Sequence, residues 1–157
     1  MAEIKTNAMR ILEKAGCAYQ MHTYDPGDGI DGVSVAKKTG QDPAKVYKTL
    51  VTAGKSGQHY VFVLPVAEEL DLKKAAKAVG EKSVEMIPVK EINKVTGYIR
   101  GGCSPVGMKK LFPTVIADTA LGLESFLVSG GRIGLQIEAD PQALAQVVGA
   151  SFADILL

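Results

Sequence analysis

Apolar residues recur at helical spacing at the start of the chain, at Ile4, Ala8, Ile11, Leu12 and Ala15, and Gly16 follows where such a helix would stop. The pattern then changes to alternation. Residues 18–24 read as a strand with Tyr19, Met21 and Thr23 on one face and Gln20, His22 and Tyr24 on a more polar one. Residues 25–32 form a polar, glycine-rich loop. Ser34 fits the N-cap of a short helix ending at Gly40, and Asp42 before Pro43 predicts one more capped turn. Two runs of β-formers, 46–53 and 59–65, flank Gly54, Lys55, Ser56 and Gly57 and predict a hairpin. Leu72, Ala75, Ala76 and Val79 mark a helix between a capping Asp71 and a terminating Gly80. Further strands are predicted over 84–87, 114–117, 125–129 and 134–138, with a small helix over 89–95. Asp140 and Pro141 open a last helix that runs to about Gly149, and the apolar tail 152–157 is suited to docking on the core. Short strands interspersed with helices, hairpin-joined at least once, predict an α+β fold with a mixed central sheet and flanking helices.

Composition changes this picture little. At 157 residues, 46% hydrophobic and 22% charged, the chain suits one soluble domain, 1–157, with no repeat or linker. A formal charge of +1 gives no bulk sign of nucleic-acid binding, although charge can be segregated locally. No apolar run approaches the roughly 18 residues of a membrane span, and the N-terminus lacks the features of a signal peptide. Cys17 and Cys103 are too isolated for a disulfide framework or a metal knuckle, so a reducing, cytoplasmic setting is the expectation.

The candidate chemistry centres on residues 97–107. Gly97, Gly101, Gly102, Gly107 and Pro105 make a shaped loop that brings backbone N–H groups close to a ligand. Tyr98, Ile99, Cys103 and Val106 within it predict partial packing on the core. Gly102 and Gly107 have phosphate-loop spacing, but Met108 separates Gly107 from Lys109 and Pro105 has no N–H, which argues against nucleotide hydrolysis. Gly27, Gly29 and Gly32 match a dinucleotide pattern. Asp28 and Asp31 would oppose a pyrophosphate there, and the following strand enters a hairpin instead of a crossover helix. His22 and His59 have no acidic neighbour in sequence and read as structural. Lys48 interrupts a strand of β-formers and shares a face with Val46, Leu50 and Thr52; it lies either at a sheet edge or in a pocket with an anionic or carbonyl partner. Lys73, Lys74, Lys77, Lys109 and Lys110 read as solvated faces, with phosphate contact as the alternative. Ser129, Gly130 and Gly131 with Arg132 form a turn between strands, or a second wall of a pocket.

Several of these stretches together resemble one family: 46–50, 96–107, and 128–131 with Gly134 and Leu135, along with Tyr24 after His22 and Thr23, and 70–74. The chain is similar, over nearly its full length, to the YbaK/EbsC family of free-standing aminoacyl-tRNA deacylases, and within it to the branch acting on cysteinyl-tRNA(Pro). The resemblance implies the fold of the editing domain of bacterial prolyl-tRNA synthetases. It implies hydrolysis of a mischarged ester on the acceptor end of tRNA(Pro), because an apolar synthetic site discriminates cysteine from proline weakly by volume. It implies no metal or other cofactor. The substrate's own thiol would attack its ester carbonyl and leave as a cyclic thiolactone, with the protein orienting the substrate and stabilising charge.

Carried over by position, the resemblance gives catalytic roles to Lys48 and Gly101. Tyr24, Thr49, Gly102, Ser104 and Pro105 fall at substrate-binding positions, as do Ser129, Gly130, Gly131 and Gln136. Cys103 becomes a bystander. Two positions depart from close relatives: Gln136 stands where they carry an acid, and Ile30, Asp31 and Gly32 where they carry an aromatic. Both bear on amino-acid preference. The alternatives are an alanyl-tRNA(Pro) deacylase that uses water, and a non-catalytic module that holds tRNA or a synthetase. Prolyl-tRNA synthetase is the expected protein partner, and near-neutral charge favours tRNA affinity borrowed from it.

Overall fold

The strands divide between two sheets, where the sequence predicts one central sheet. The computed structural model describes residues 5–25, 36–37 and 40–157. The glycine motif at 27–32 and the Ser34 cap lie outside these residues. Helix α1 (Asn7–Lys14) starts where the Thr6 hydroxyl accepts from the Met9 N–H, and it turns Ala8, Met9 and Leu12 inward. Strand β1 (Tyr19–Thr23) follows, then a single 3-10 turn at Pro43–Lys45 capped by Asp42.

Strands β2 (Tyr47–Gly54) and β3 (His59–Pro65) form the predicted hairpin, with Ala53 opposite His59 and Lys48 opposite Leu64. Asp71 caps helix α2 (Leu72–Val79) by accepting from the N–H groups of Lys73 and Lys74, and Gly80 ends it at φ +73°. Strand β4 (Val84–Met86) and helix α3 (Ile92–Thr96) lead into the glycine loop. Beyond the loop come β5 (Thr114–Ala117), β6 (Phe126–Ser129), β7 (Leu135–Ala139) and α4 (Pro141–Val148), the last capped by Asp140. The chain closes with β8 (Ser151–Ala153). Sequence pattern predicts only a docked apolar tail here, whereas the strand pairs parallel to β5.

One sheet has the order β4-β2-β3-β5-β8, antiparallel across the first three strands and parallel across the last three. The other is an antiparallel β1-β7-β6 sheet. The two sheets touch where β2 begins. Val46 makes an isolated parallel bridge to Leu127, and the Tyr47 ring stands edge-on to Phe126 with centroids 5.2 Å apart. Phe62 and Leu64 from the first sheet share one buried cluster with Phe126 and Ile137 from the second, so the core spans the junction.

Candidate active site

The junction of the two sheets leaves a cavity of about 110 Å³. Its walls come from three places. The start of β2 supplies Tyr47, Lys48 and Thr49; the glycine loop supplies Gly101 and Cys103; the ends of β6 and β7 supply Ser129, Leu135 and Gln136. Tyr24, Val46 and Val66 complete it. Of the positions singled out from sequence, Lys48, Gly101, Tyr24, Thr49, Ser129 and Gln136 therefore face one space. The volume is that of a few water molecules.

The other singled-out positions build the walls from behind. Ser104 is fully buried and its hydroxyl accepts from the Val106 N–H within the loop (3.2 Å). Pro105 lines a separate cavity of about 150 Å³ beside Val147 and Val148, on the far side of the loop. Gly102 packs against the β6–β7 turn. A Cβ there would stand 2.9 Å from the Ile133 nitrogen and 3.0 Å from the Arg132 carbonyl carbon. Gly131, at φ +96°, lies under the Tyr98 ring, and the Tyr98 hydroxyl donates to the Val106 carbonyl (2.6 Å). Burial pushes that phenol up to about 12, so it remains a donor. Gly130 accepts from the Thr6 hydroxyl (2.6 Å). The hairpin and wall readings of this turn are thus compatible: it joins β6 to β7, and only Ser129 of its first three residues reaches the cavity.

Backbone donors divide in the same way. The Gly102 N–H donates to Ile99 O (2.9 Å), the Gly130 N–H to Leu135 O (2.9 Å) and the Gly131 N–H to Ser129 Oγ (3.2 Å). The Gly101 N–H makes no such bond to a described residue. The same holds for Cys103, so both loop residues that line the cavity keep an N–H with no acceptor among the described residues.

Lys48 occupies the pocket position, not a free sheet edge. Its ammonium reaches Val66 O at 3.4 Å. Desolvation by burial lowers its pKa below the ordinary lysine value, with Glu69 and Glu68 opposing the shift. Thr49 and Gln136 line the same cavity. Their side-chain oxygens, Thr49 Oγ1 and Gln136 Oε1, are buried and make no hydrogen bond to a described residue. A buried polar atom left unpaired costs roughly 1–3 kcal/mol, and both of these belong to residues of the cavity wall.

Cys103 also lines the cavity, a placement that sequence pattern alone does not reveal. Burial raises its thiol pKa to about 11, against an opposing hydrogen bond from Thr96. At neutral pH it is an uncharged thiol and a poor nucleophile. Tyr47, Val66 and Leu135 were missed as well. Val66 follows directly from hairpin register, since Tyr47 pairs with Pro65 and so Val46 meets Val66, whose N–H donates to Val46 O (2.9 Å). Ile99, expected to pack inward, is 53% exposed.

His22 has an acidic partner that sequence distance concealed. The β1–β7 pairing brings Glu138 Oε1 to 2.8 Å from its Nε2, while Ser125 donates to Glu138 Oε2 (2.6 Å). The Ser125 bond first, then His22 and Lys45, hold the Glu138 carboxyl below its usual range. The carboxylate stands between the hydroxyl and the imidazole, whereas a catalytic triad needs the imidazole in the middle. The cluster is a structural tie outside the cavity. Among the described residues no group of three or more His, Cys, Asp or Glu side chains could hold a metal ion. None of the described helices is long and apolar enough to cross a membrane.

Residues 31–147 match the aminoacyl-tRNA editing domain family. The chain belongs to that family. It is 45% identical over 152 residues to EbsC of Enterococcus faecalis, covering 96% of this chain and 93% of that protein, which is provisionally named a Cys-tRNA(Pro)/Cys-tRNA(Cys) deacylase. A crystal structure provisionally described as a trans-editing enzyme for prolyl-tRNA synthetase superposes with a TM-score of 0.82 at 26% identity, over 99% of both chains. The crystal structure of a hypothetical protein, 22% identical, gives a TM-score of 0.89 over 97% of this chain and all of the other, and shares the fold.

Proposed function

We propose that this editing-domain protein hydrolyses the ester of cysteinyl-tRNA(Pro), acting in trans as one domain spanning 1–157. The observation that carries the proposal is the small cavity lined by the desolvated ammonium of Lys48 together with Gly101, Thr49 and Gln136, the last two each carrying a buried oxygen with no partner among the described residues. These groups suit one small substrate with an ester, an ammonium and a short side chain. Gln136 accepts from the substrate ammonium, and Thr49 bonds the ester or ribose. Lys48 and the Gly101 N–H stabilise the oxyanion as it forms.

The reacting sulfur is the substrate's. The cysteine thiolate attacks its own carbonyl, a carbon–sulfur bond forms, and the carbon–oxygen bond to ribose breaks. The ribose oxygen leaves as a hydroxyl after taking up a proton, and the released thiolactone is opened by water. Holding the thiolate near the carbonyl is a positional contribution, and it needs no protein nucleophile. This matches the neutral state of Cys103. Partnership with prolyl-tRNA synthetase and a cytoplasmic site of action belong to the same reading.

Deacylation of cysteinyl-, alanyl- and seryl-tRNA(Pro) by the purified protein tests it. Rapid release of cysteine with little release from the other two is expected. Preferred hydrolysis of alanyl-tRNA(Pro) would establish a water-using reaction instead, and no hydrolysis of any substrate would reduce the protein to a binding module.

A further inference from the structure

The walls of the cavity carry a charge asymmetry. From Ile92 to Ala117 the chain holds Lys94, Arg100, Lys109 and Lys110 and no acidic residue, and from Ser125 to Ile137 it holds Arg132 and no acidic residue. In a chain whose formal charge is +1, the remainder is therefore net acidic. The fold brings these two segments together. Gly102 lies on the backbone of Arg132 and Ile133, as close as the absence of a Cβ permits. The Lys109 side chain covers Gly97, its N–H donates to Thr96 O (2.9 Å), and Lys94 sits in the preceding turn of α3. Arg100 directly precedes the cavity residue Gly101.

Lys94, Arg100, Lys109 and Arg132 are all exposed, and none has an ion pair with a described residue. On the β2 side of the cavity two carboxylates, Glu69 and Glu68, lie near enough to act on Lys48. Exposed Ile99 stands next to Arg100 and adds apolar surface to the basic side.

We infer that the face made by the glycine loop and the β6–β7 turn is the track along which the phosphates of a single-stranded RNA 3′ end approach the cavity. The inference rests on the deacylase reading for why RNA is there, and on the charge map for where it lies. An anionic strand leaving the cavity meets unpaired cations on this side and carboxylates on the other. A near-neutral net charge is compatible with such a local basic footprint.

Four contacts to a single strand predict a slope of about −3 for log affinity against log salt, or roughly a fifty-fold loss between 50 and 200 mM. The test is binding of a non-aminoacylated stem-loop RNA with a single-stranded 3′ end, followed by fluorescence anisotropy across that salt range. The variants are Arg100→Gln/Arg132→Gln, the charge-preserving Arg100→Lys/Arg132→Lys, and Lys73→Gln/Lys77→Gln on α2. The first pair should weaken binding about ten-fold at low salt and flatten the slope by about 1.4. The other two should bind nearly as wild type. No measurable binding by wild type, equal binding by the Gln pair, or an equal loss in the α2 pair each overturns the inference. Because the probe carries no aminoacyl ester, the two readings fail separately. RNA binding through this face without deacylation sinks the reaction alone. Deacylation with RNA affinity untouched by the Gln pair sinks the track alone.

Discussion

At the scale of single residues, the chemistry turns on one charge and one neutral thiol. Burial disfavours the Lys48 ammonium, so its folded pKa lies below 10.5. Such a lysine is neutral in both states at high pH, and folding bears the cost of charging it as pH falls through the lowered pKa. For activity the direction is opposite: the needed cation is lost as pH rises through that pKa. With background hydrolysis subtracted, kcat/KM should rise with ionisation of the substrate thiol near pH 8.5 and then fall below pH 10.5. In Lys48→Arg the falling limb should disappear, and in Lys48→Ala activity should drop at least a hundred-fold with thermal stability retained. Full activity in Lys48→Ala would remove the residue from the mechanism. Cys103→Ala and Cys17→Ala should keep kcat within a few-fold, as stopped-assay rates on folded protein will show. The lysine was legible because a cation interrupts an apolar strand. The unpartnered Thr49 and Gln136 oxygens were not, since sequence identifies a polar group and never its missing partner.

At the scale of elements, local chemistry was readable and long-range pairing was not. Asp42, Asp71 and Asp140 each cap the turn they precede, and Gly80, Gly97 and Gly149 each end a helix at positive φ. Those are decisions made within four residues of chain. Strand β8 escaped because three residues of mixed polarity carry almost no period, and its partner β5 lies far back in the sequence. The glycine loop shows why its composition mattered. Gly102 permits close approach to another backbone. Gly102→Ala should force the loop off the β6–β7 turn, at about 1–3 kcal/mol of overpacking. It should lower kcat/KM well beyond the loss of folded protein, because Gly101 and Ser129 sit on the two elements being parted. Gly122→Ala, with open space around the added carbon, should change neither denaturation midpoint nor rate.

At the scale of the molecule, the site exists because two sheets meet, and no periodicity along the chain announces that β1, β6 and β7 leave the main sheet. Alternation gives the faces of a strand. Which sheet receives it depends on contacts such as Val46 with Leu127 and Tyr47 with Phe126, made between residues about eighty positions apart. Leu127 is fully buried in a small cluster with Ala36, Val46 and Val66, and the last two of these line the cavity. Truncating it should therefore act twice. Leu127→Ala should cost about 2–5 kcal/mol, which a protein with some 5–15 kcal/mol of stability can survive. It should also loosen the start of β2, where Lys48 and Thr49 are held, and lower kcat/KM at least ten-fold under conditions where circular dichroism shows the chain fully folded. Leu144, equally buried but in α4 and outside the cavity wall, supplies the comparison. Leu144→Ala should lose similar stability and keep its rate. If both variants lose activity only in proportion to unfolding, the junction stabilises the fold without positioning the site. If Leu127→Ala alone loses rate while folded, the seam between the sheets is what holds the catalytic groups in place.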